Sequence, residues 1–148
     1  MPKTTAAITA IGKHLPEKVL DNATLEKMVE TNDKWITTRT GIKERRILDI
    51  PGKATAFMAT EAVKDLMKKS GLDPLEIDLL LVATVTPDMP VVATAAQVAT
   101  DLGAKNAFAF DLQAACSGFL YGMSAASAYI ESGRYKKVVL VGADMMSS

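Results

Sequence analysis

Two hydrophobic rhythms alternate along the chain. In residues 54–70, "ATAFMATEAVKDLMKKS", the apolar residues Phe57, Met58, Ala62, Leu66 and Met67 recur near helical spacing, with charged residues between them. That period predicts a surface helix with one buried stripe. Lys68 and Lys69 put positive charge in its last turn, and Gly71 supplies the stop, as helix C-termini favour. Residues 78–86, "DLLLVATVT", form an unbroken apolar run instead. Such a run reads as a strand covered on both faces. The two rhythms then repeat. "TAAQVATDLG" predicts a second helix and "AFAFDL" a second strand. Residues 117–132 predict a third helix ended by Gly133, and "KKVVLVGA" a last strand.

The N-terminal third is less regular. Residues 4–12, "TTAAITAIG", read as a strand ended by Gly12, and Pro16 turns the chain because it drives the preceding residue out of helix. Asp21 and Asn22 are N-cap candidates for a helix over "ATLEKMVE". "TNDKWITTRTG" predicts one short helix stopped at Gly41, and "IKERRIL" an extended segment. "TPDMP", residues 86–90, is a proline-bounded loop. Strands alternating with helices predict an α/β fold, with a largely parallel sheet covered on both faces. No internal repeat, low-complexity tract or domain linker is visible. The chain stops soon after a buried-type strand, so its sheet is expected to lack neighbours.

Composition narrows the picture. Hydrophobic residues make up 49 % and aromatic ones only 5 %, so the core is expected to be aliphatic and closely layered. Seventeen basic residues balance seventeen acidic ones, leaving no global field for nucleic acid or an anionic membrane. No apolar run approaches the length of a membrane span, and the first residues are too polar for a secretory signal. A single cysteine cannot form an internal disulfide, which fits a reducing compartment. These features predict a cytoplasmic protein with neither a nucleic-acid nor a membrane partner.

That cysteine, Cys116, falls where the strand "AFAFDL" gives way to the helix "SGFLYGM". The first turn of a helix offers unpaired N–H groups and partial positive charge, which stabilise a thiolate and can hold an oxyanion. Gly118 and Gly122, four apart, thin one face of that helix. The competing reading is a small buried hydrophobe, since free cysteines are often fully buried. Elsewhere, Trp35 and Arg39 lie four apart on one face of a helix. An indole and a guanidinium can clamp a planar base, or can simply be an exposed surface pair. Arg45 and Arg46 could serve a phosphate or an acidic carrier, but read first as a solvated charge cluster. His14, the only histidine, reads as an exposed loop residue.

"DLQAACSGFLYG" resembles the nucleophile motif of the β-ketoacyl-acyl carrier protein synthase III family, in the thiolase superfamily. "NATLEKMVETNDKWITTRTGIKERRI" resembles the family's N-terminal signature. "LLLVATVTPDMP" is similar to its second core strand and following loop, and "VVLVGADMMSS" matches in pattern. The resemblance covers essentially all of residues 1–148. It implies a thiolase-like fold of α-β-α-β-α layers, in which this chain supplies the N-terminal half with a mainly parallel mixed sheet. Family chains are about twice as long, so the C-terminal half, with the family's catalytic histidine and asparagine, lies outside these residues. The resemblance implies that Cys116 is acylated by an acyl-CoA and then attacked by decarboxylating malonyl-acyl carrier protein. It implies that Trp35 and Arg39 sandwich the adenine of CoA with Thr31 nearby. It also implies a homodimer in which Met89 closes the partner's acyl pocket; "AFAFDL" is the expected pairing edge, since an unpaired apolar strand edge invites association. No metal or redox cofactor is implied; CoA arrives as the thioester of the substrate.

Two rivals remain. One is another condensing enzyme of the superfamily, a hydroxymethylglutaryl-CoA synthase or a polyketide type. The other is a non-catalytic half that binds CoA or a carrier.

Overall fold

The structure, a computed structural model, describes residues 4–147. They fall into two compact units: residues 15–53, and residues 4–14 with 54–146.

In the smaller unit, β1 (Lys18–Asp21) pairs antiparallel with β2 (Glu44–Ile47), Lys18 opposite Ile47 and Asp21 opposite Glu44. Between them lie α1 (Asn22–Leu25) and α2 (Asp33–Thr40). Asp21 caps α1 by accepting from the Thr24 N–H at 2.8 Å. Asn32 caps α2 by accepting from the Trp35 N–H at 2.8 Å, and Gly41 ends it at φ 72°. The first helix is one turn rather than the length of "ATLEKMVE". The chain leaves it through bonds from the Lys27 and Met28 N–H groups to the carbonyls of Thr24 and Leu25. The Glu26 carboxylate then accepts from the Asp33 N–H at the start of α2. A helix of eight residues would have blocked that reversal. The short strand β1 carried no recognisable period.

The larger unit contains α3 (Thr55–Ser70), β3 (Leu79–Ala83), α4 (Thr94–Leu102), β4 (Phe108–Leu112), α5 (Gly118–Glu131) and β5 (Val138–Gly142). Its sheet has the order β4-β3-β5 and is parallel throughout. The antiparallel pairing is confined to the β1–β2 ribbon. All five residues of β3 are buried, as its unalternated sequence predicts. Leu80 and Val82 face α3 and α4, in a core with Ala56, Ala59, Val98 and Val139. Alternation turns Leu81 and Ala83 to the face covered by α5. Alanines at the helix contacts let the layers close tightly.

Neither α3 nor α4 carries a local side-chain cap. Remote carboxylates do that work. Asp88 accepts from the Ala56 N–H at 2.9 Å, and Asp111, in β4, accepts from Thr94 and Ala95 N–H at 2.7 Å each. Negative charge at a helix N-terminus also suits the dipole. At the opposite end of the sheet, Asp78 accepts from the N–H groups of Lys136 and Lys137 at 2.8 and 2.9 Å. Those bonds, that of Lys137 first, hold its carboxyl below the ordinary aspartate value.

Residues 4–12 are not a strand. A strand needs a ladder partner, and none of β3, β4 or β5 pairs with this segment. Gly12 packs on α3 instead, where Asp65 accepts from the Lys13 N–H at 2.9 Å. His14 is not an exposed loop residue either. It is half-buried, with its ring edge-on to Phe57 at 5.6 Å between centroids.

Candidate active site

Cys116 sits in the single 3₁₀ turn Ala115–Ser117 that joins the end of β4 to α5. The Ser117 N–H donates to the Ala114 carbonyl at 3.0 Å and closes the turn. Among the described residues Cys116 is a free, exposed thiol and is not packed into their core. The preceding Ala115 has φ 45° and is the only non-glycine residue at positive φ among those described. For a residue with a β-carbon that conformation is strained by roughly 1–2 kcal/mol, and such strain gathers at functional sites. A glycine or asparagine would have signalled it in the sequence; alanine gave no sign.

Glycines set how closely α5 approaches the sheet. A β-carbon on Gly118 would lie 3.3 Å from Cβ of Ala83, and one on Gly122 would lie 2.5 Å from Cδ1 of Leu140. A β-carbon on Gly142, in β5, would lie 3.1 Å from Phe119. Missing side chains on both partners therefore bring the start of α5, and Cys116 with it, down onto the carboxyl ends of β3 and β5. Ligand sites in open parallel sheets gather at that end.

The loop after β3 is anchored at the same end. Asp144 Oδ1 accepts from Thr84 Oγ1 at 3.0 Å, the Val85 N–H at 2.8 Å and Thr86 Oγ1 at 3.1 Å. Thr55 Oγ1 donates to the Thr86 carbonyl at 2.6 Å. This tied loop carries Met89, an exposed side chain beside the capping residue Asp88. The Asp144 cluster was invisible in the sequence, since its members lie some sixty positions apart.

Trp35 and Arg39 belong to the smaller unit. Trp35 is 54 % exposed, and the Arg39 guanidinium carbon lies 4.9 Å from its ring centroid. The helical spacing thus brings them face to face. A base held between them needs contact distances of about 3.5 Å on each side, so Arg39 must swing outward to admit one. Thr31 and Trp35 line one open recess of about 310 Å³ with Glu30 and Asn32. Arg45 is not a solvated charge. Its Nη1 donates to Oδ1 of the buried Asn22 at 2.6 Å. Asn22, expected only as a possible cap, also donates from Nδ2 to Asp33 Oδ1 at 2.7 Å and to the Ile42 carbonyl at 2.9 Å.

The model of the family 3-oxoacyl-[acyl-carrier-protein] synthase III matches residues 110–148, the segment with Cys116. Over all 148 residues the chain is 55 % identical to β-ketoacyl-[acyl-carrier-protein] synthase III 2 of Bacteroides thetaiotaomicron, covering 44 % of that protein. Over its whole length the chain is similar to a part of the β-ketoacyl-acyl carrier protein synthases III. Its fold agrees: the crystal structure of 3-oxoacyl-[acyl-carrier-protein] synthase III from Aquifex aeolicus VF5 superposes with TM-score 0.90 at 44 % identity. That match covers 97 % of this chain and 45 % of the other. The priming β-ketosynthase of the R1128 polyketide pathway superposes with TM-score 0.88 at 35 % identity, covering 93 % and 41 %. The chain thus spans a little under half the length of these synthases, and its fold is the thiolase-like α/β fold of the family. Among the described residues no helix is long and apolar enough to cross a membrane.

Proposed function

We propose that these residues form the nucleophile-bearing N-terminal half of a β-ketoacyl-acyl carrier protein synthase III. The Cys116 sulfur attacks the carbonyl of an acyl-CoA, the thioester bond to CoA breaks, and CoA leaves as its thiol with the proton from Cys116. Malonyl-acyl carrier protein then loses carbon dioxide. The electron pair released forms a carbon–carbon bond to the acyl carbon, and the Cys116 thiolate departs. The observation that carries this reading is the exposed thiol on a strained turn at the N-terminus of a helix of fourteen residues. The Ser117 and Gly118 N–H groups are held by the carbonyls of Ala114 and Ala115, so the support for a thiolate and a developing oxyanion is the positive end of the helix dipole beside Cys116.

Trp35, Arg39 and Thr31 take the adenine end of CoA, with Arg39 opening from Trp35 as the base enters. Met89 shapes the acyl pocket of a homodimer partner. The homodimer pairs through β4, an edge strand among the described residues; an unpaired strand edge favours such pairing. The outer surface of α5 near its start carries exposed Leu120 and Tyr121. We assign that apolar face to contact with the C-terminal half, which brings the histidine and asparagine for decarboxylation. The setting is cytoplasmic, the compartment that keeps a lone thiol reduced.

The test is to purify residues 1–148 and supply acetyl-CoA and malonyl-acyl carrier protein, with and without the complementary half. Ketoacyl product only when both halves are present, with the acyl group mapped to Cys116 by mass spectrometry, is the expected result. No acyl group on any residue in the paired preparation returns the chain to a non-catalytic binding half. The likeness to the polyketide priming enzyme favours one second reading, the same acyl transfer with a different starter or carrier. Comparing product from acyl carrier proteins of the two pathway types separates them.

A further inference from the structure

We infer that Asn22 is a positioning residue for the Trp35–Arg39 pair, an inference that rests on the CoA reading of that pair. Asn22 is only 2 % exposed, and its side chain joins every element around α2. Nδ2 donates to Asp33 Oδ1 at 2.7 Å, to the Ile42 carbonyl at 2.9 Å and, more weakly, to Thr37 Oγ1 at 3.4 Å. Oδ1 accepts from Arg45 of β2 at 2.6 Å. Its own N–H donates to the Lys43 carbonyl at 3.2 Å. A helix of eight residues has little stability of its own, and α2 buries only Ile36. Its orientation therefore depends on polar anchors. Asp33 and Thr37 are four apart, as are Trp35 and Arg39, and at helical spacing the two pairs point to roughly opposite sides of α2. Asn22 grips one side; the stacking pair occupies the other. Rotation of α2 on loss of that grip would turn Trp35 and Arg39 together away from the base.

The test uses the synthase with both halves present and two acyl donors. Acetyl-CoA carries the nucleotide; acetyl-N-acetylcysteamine has the same reacting thioester without it. Asn22→Ala should raise KM for acetyl-CoA about tenfold, the scale expected for a lost buried hydrogen-bonding group. Acyl transfer from the truncated donor should stay within about twofold. A merely structural role would depress both donors together; that result, or no change with either donor, overturns the inference. Trp35→Ala run alongside tests the underlying reading. If it too leaves the donor ratio unchanged, the CoA assignment itself fails. If it moves the ratio and Asn22→Ala does not, only Asn22 is misassigned. Should Asn22→Ala not fold, a paired exchange decides. Asn22→Asp places two carboxylates against each other and should shift the donor ratio, and adding Asp33→Asn should restore it in part by reversing the donor. Absence of any recovery counts against the proposal.

Discussion

No β-carbon fits on Gly12, because one built there would stand 2.5 Å from the Leu66 backbone nitrogen and closer still to the Ala62 carbonyl oxygen. Backbone in the middle of α3 cannot yield without breaking helix bonds. At Gly122 the obstruction is the tip of the Leu140 side chain, which can change rotamer. Gly12→Ala should therefore destabilise the protein by about 3 kcal/mol and Gly122→Ala by about 1 kcal/mol, the two ends of the overpacking range. Urea denaturation of both variants measures the order, and a larger loss at Gly122 would contradict the packing described.

The strained backbone at Ala115 bears on how Cys116 is placed. Ala115→Gly accepts φ 45° freely and should keep acyl transfer within a few-fold. Ala115→Val is β-branched and fits that backbone badly, so the turn should shift and displace Cys116. A misplacement of about 1 Å can lower a rate about a hundredfold. Single-turnover acylation by acetyl-CoA reads the difference, and equal rates for the two variants would show that the backbone at Ala115 does not place the thiol.

Arg39 lies against Trp35 with 4.9 Å between guanidinium carbon and ring centroid. Removing either partner should weaken CoA binding by roughly 1–3 kcal/mol, the scale of base–aromatic stacking. Arg39→Ala also frees the indole face, so its effect should be the smaller of the two. Calorimetric titration with CoA gives both values, and unchanged affinity in both variants would leave the pair an ordinary surface contact.

Asp78 links the starts of β3 and β5 through the N–H groups of Lys136 and Lys137. Its folded-state pKa is lowered by those bonds. A lowered carboxyl pKa gives stability that is present above the unfolded value, about 3.9, and is lost as pH falls through the folded value. Asp78→Asn should thus be less stable than the parent at pH 7 by about 1 kcal/mol, the margin of an ionised over a neutral hydrogen-bond acceptor. The gap should narrow steadily below about pH 4. Thermal melts across that range check it, and a gap that widens in acid would reverse the assignment.

Much of this protein was legible in its order of residues. The unalternated run at β3, the span of α3, and the glycine stops at Gly41, Gly71 and Gly133 all appear where the pattern puts them. The stripe of α3 does not: the helix buries the small face Thr55, Ala56, Ala59, Thr60 and Val63, while Phe57, Met58, Ala62, Leu66 and Met67 are only half-buried. So does the strand-to-helix junction at Cys116. These are local matters, set by hydrophobic period and by the φ a glycine permits. What the order of residues left open depends on partners far along the chain. Residues 4–12 have strand-like composition but no ladder partner among the described strands. The helix N-termini of α3 and α4 look uncapped until Asp88 and Asp111 arrive from elsewhere in the fold. Asn22 looked like a cap and Arg45 like a surface charge until folding buried the first and brought the second to it. A side chain's hydrogen-bond inventory is written in the sequence. Which groups satisfy it, and whether water can reach it, is decided only when distant segments pack together.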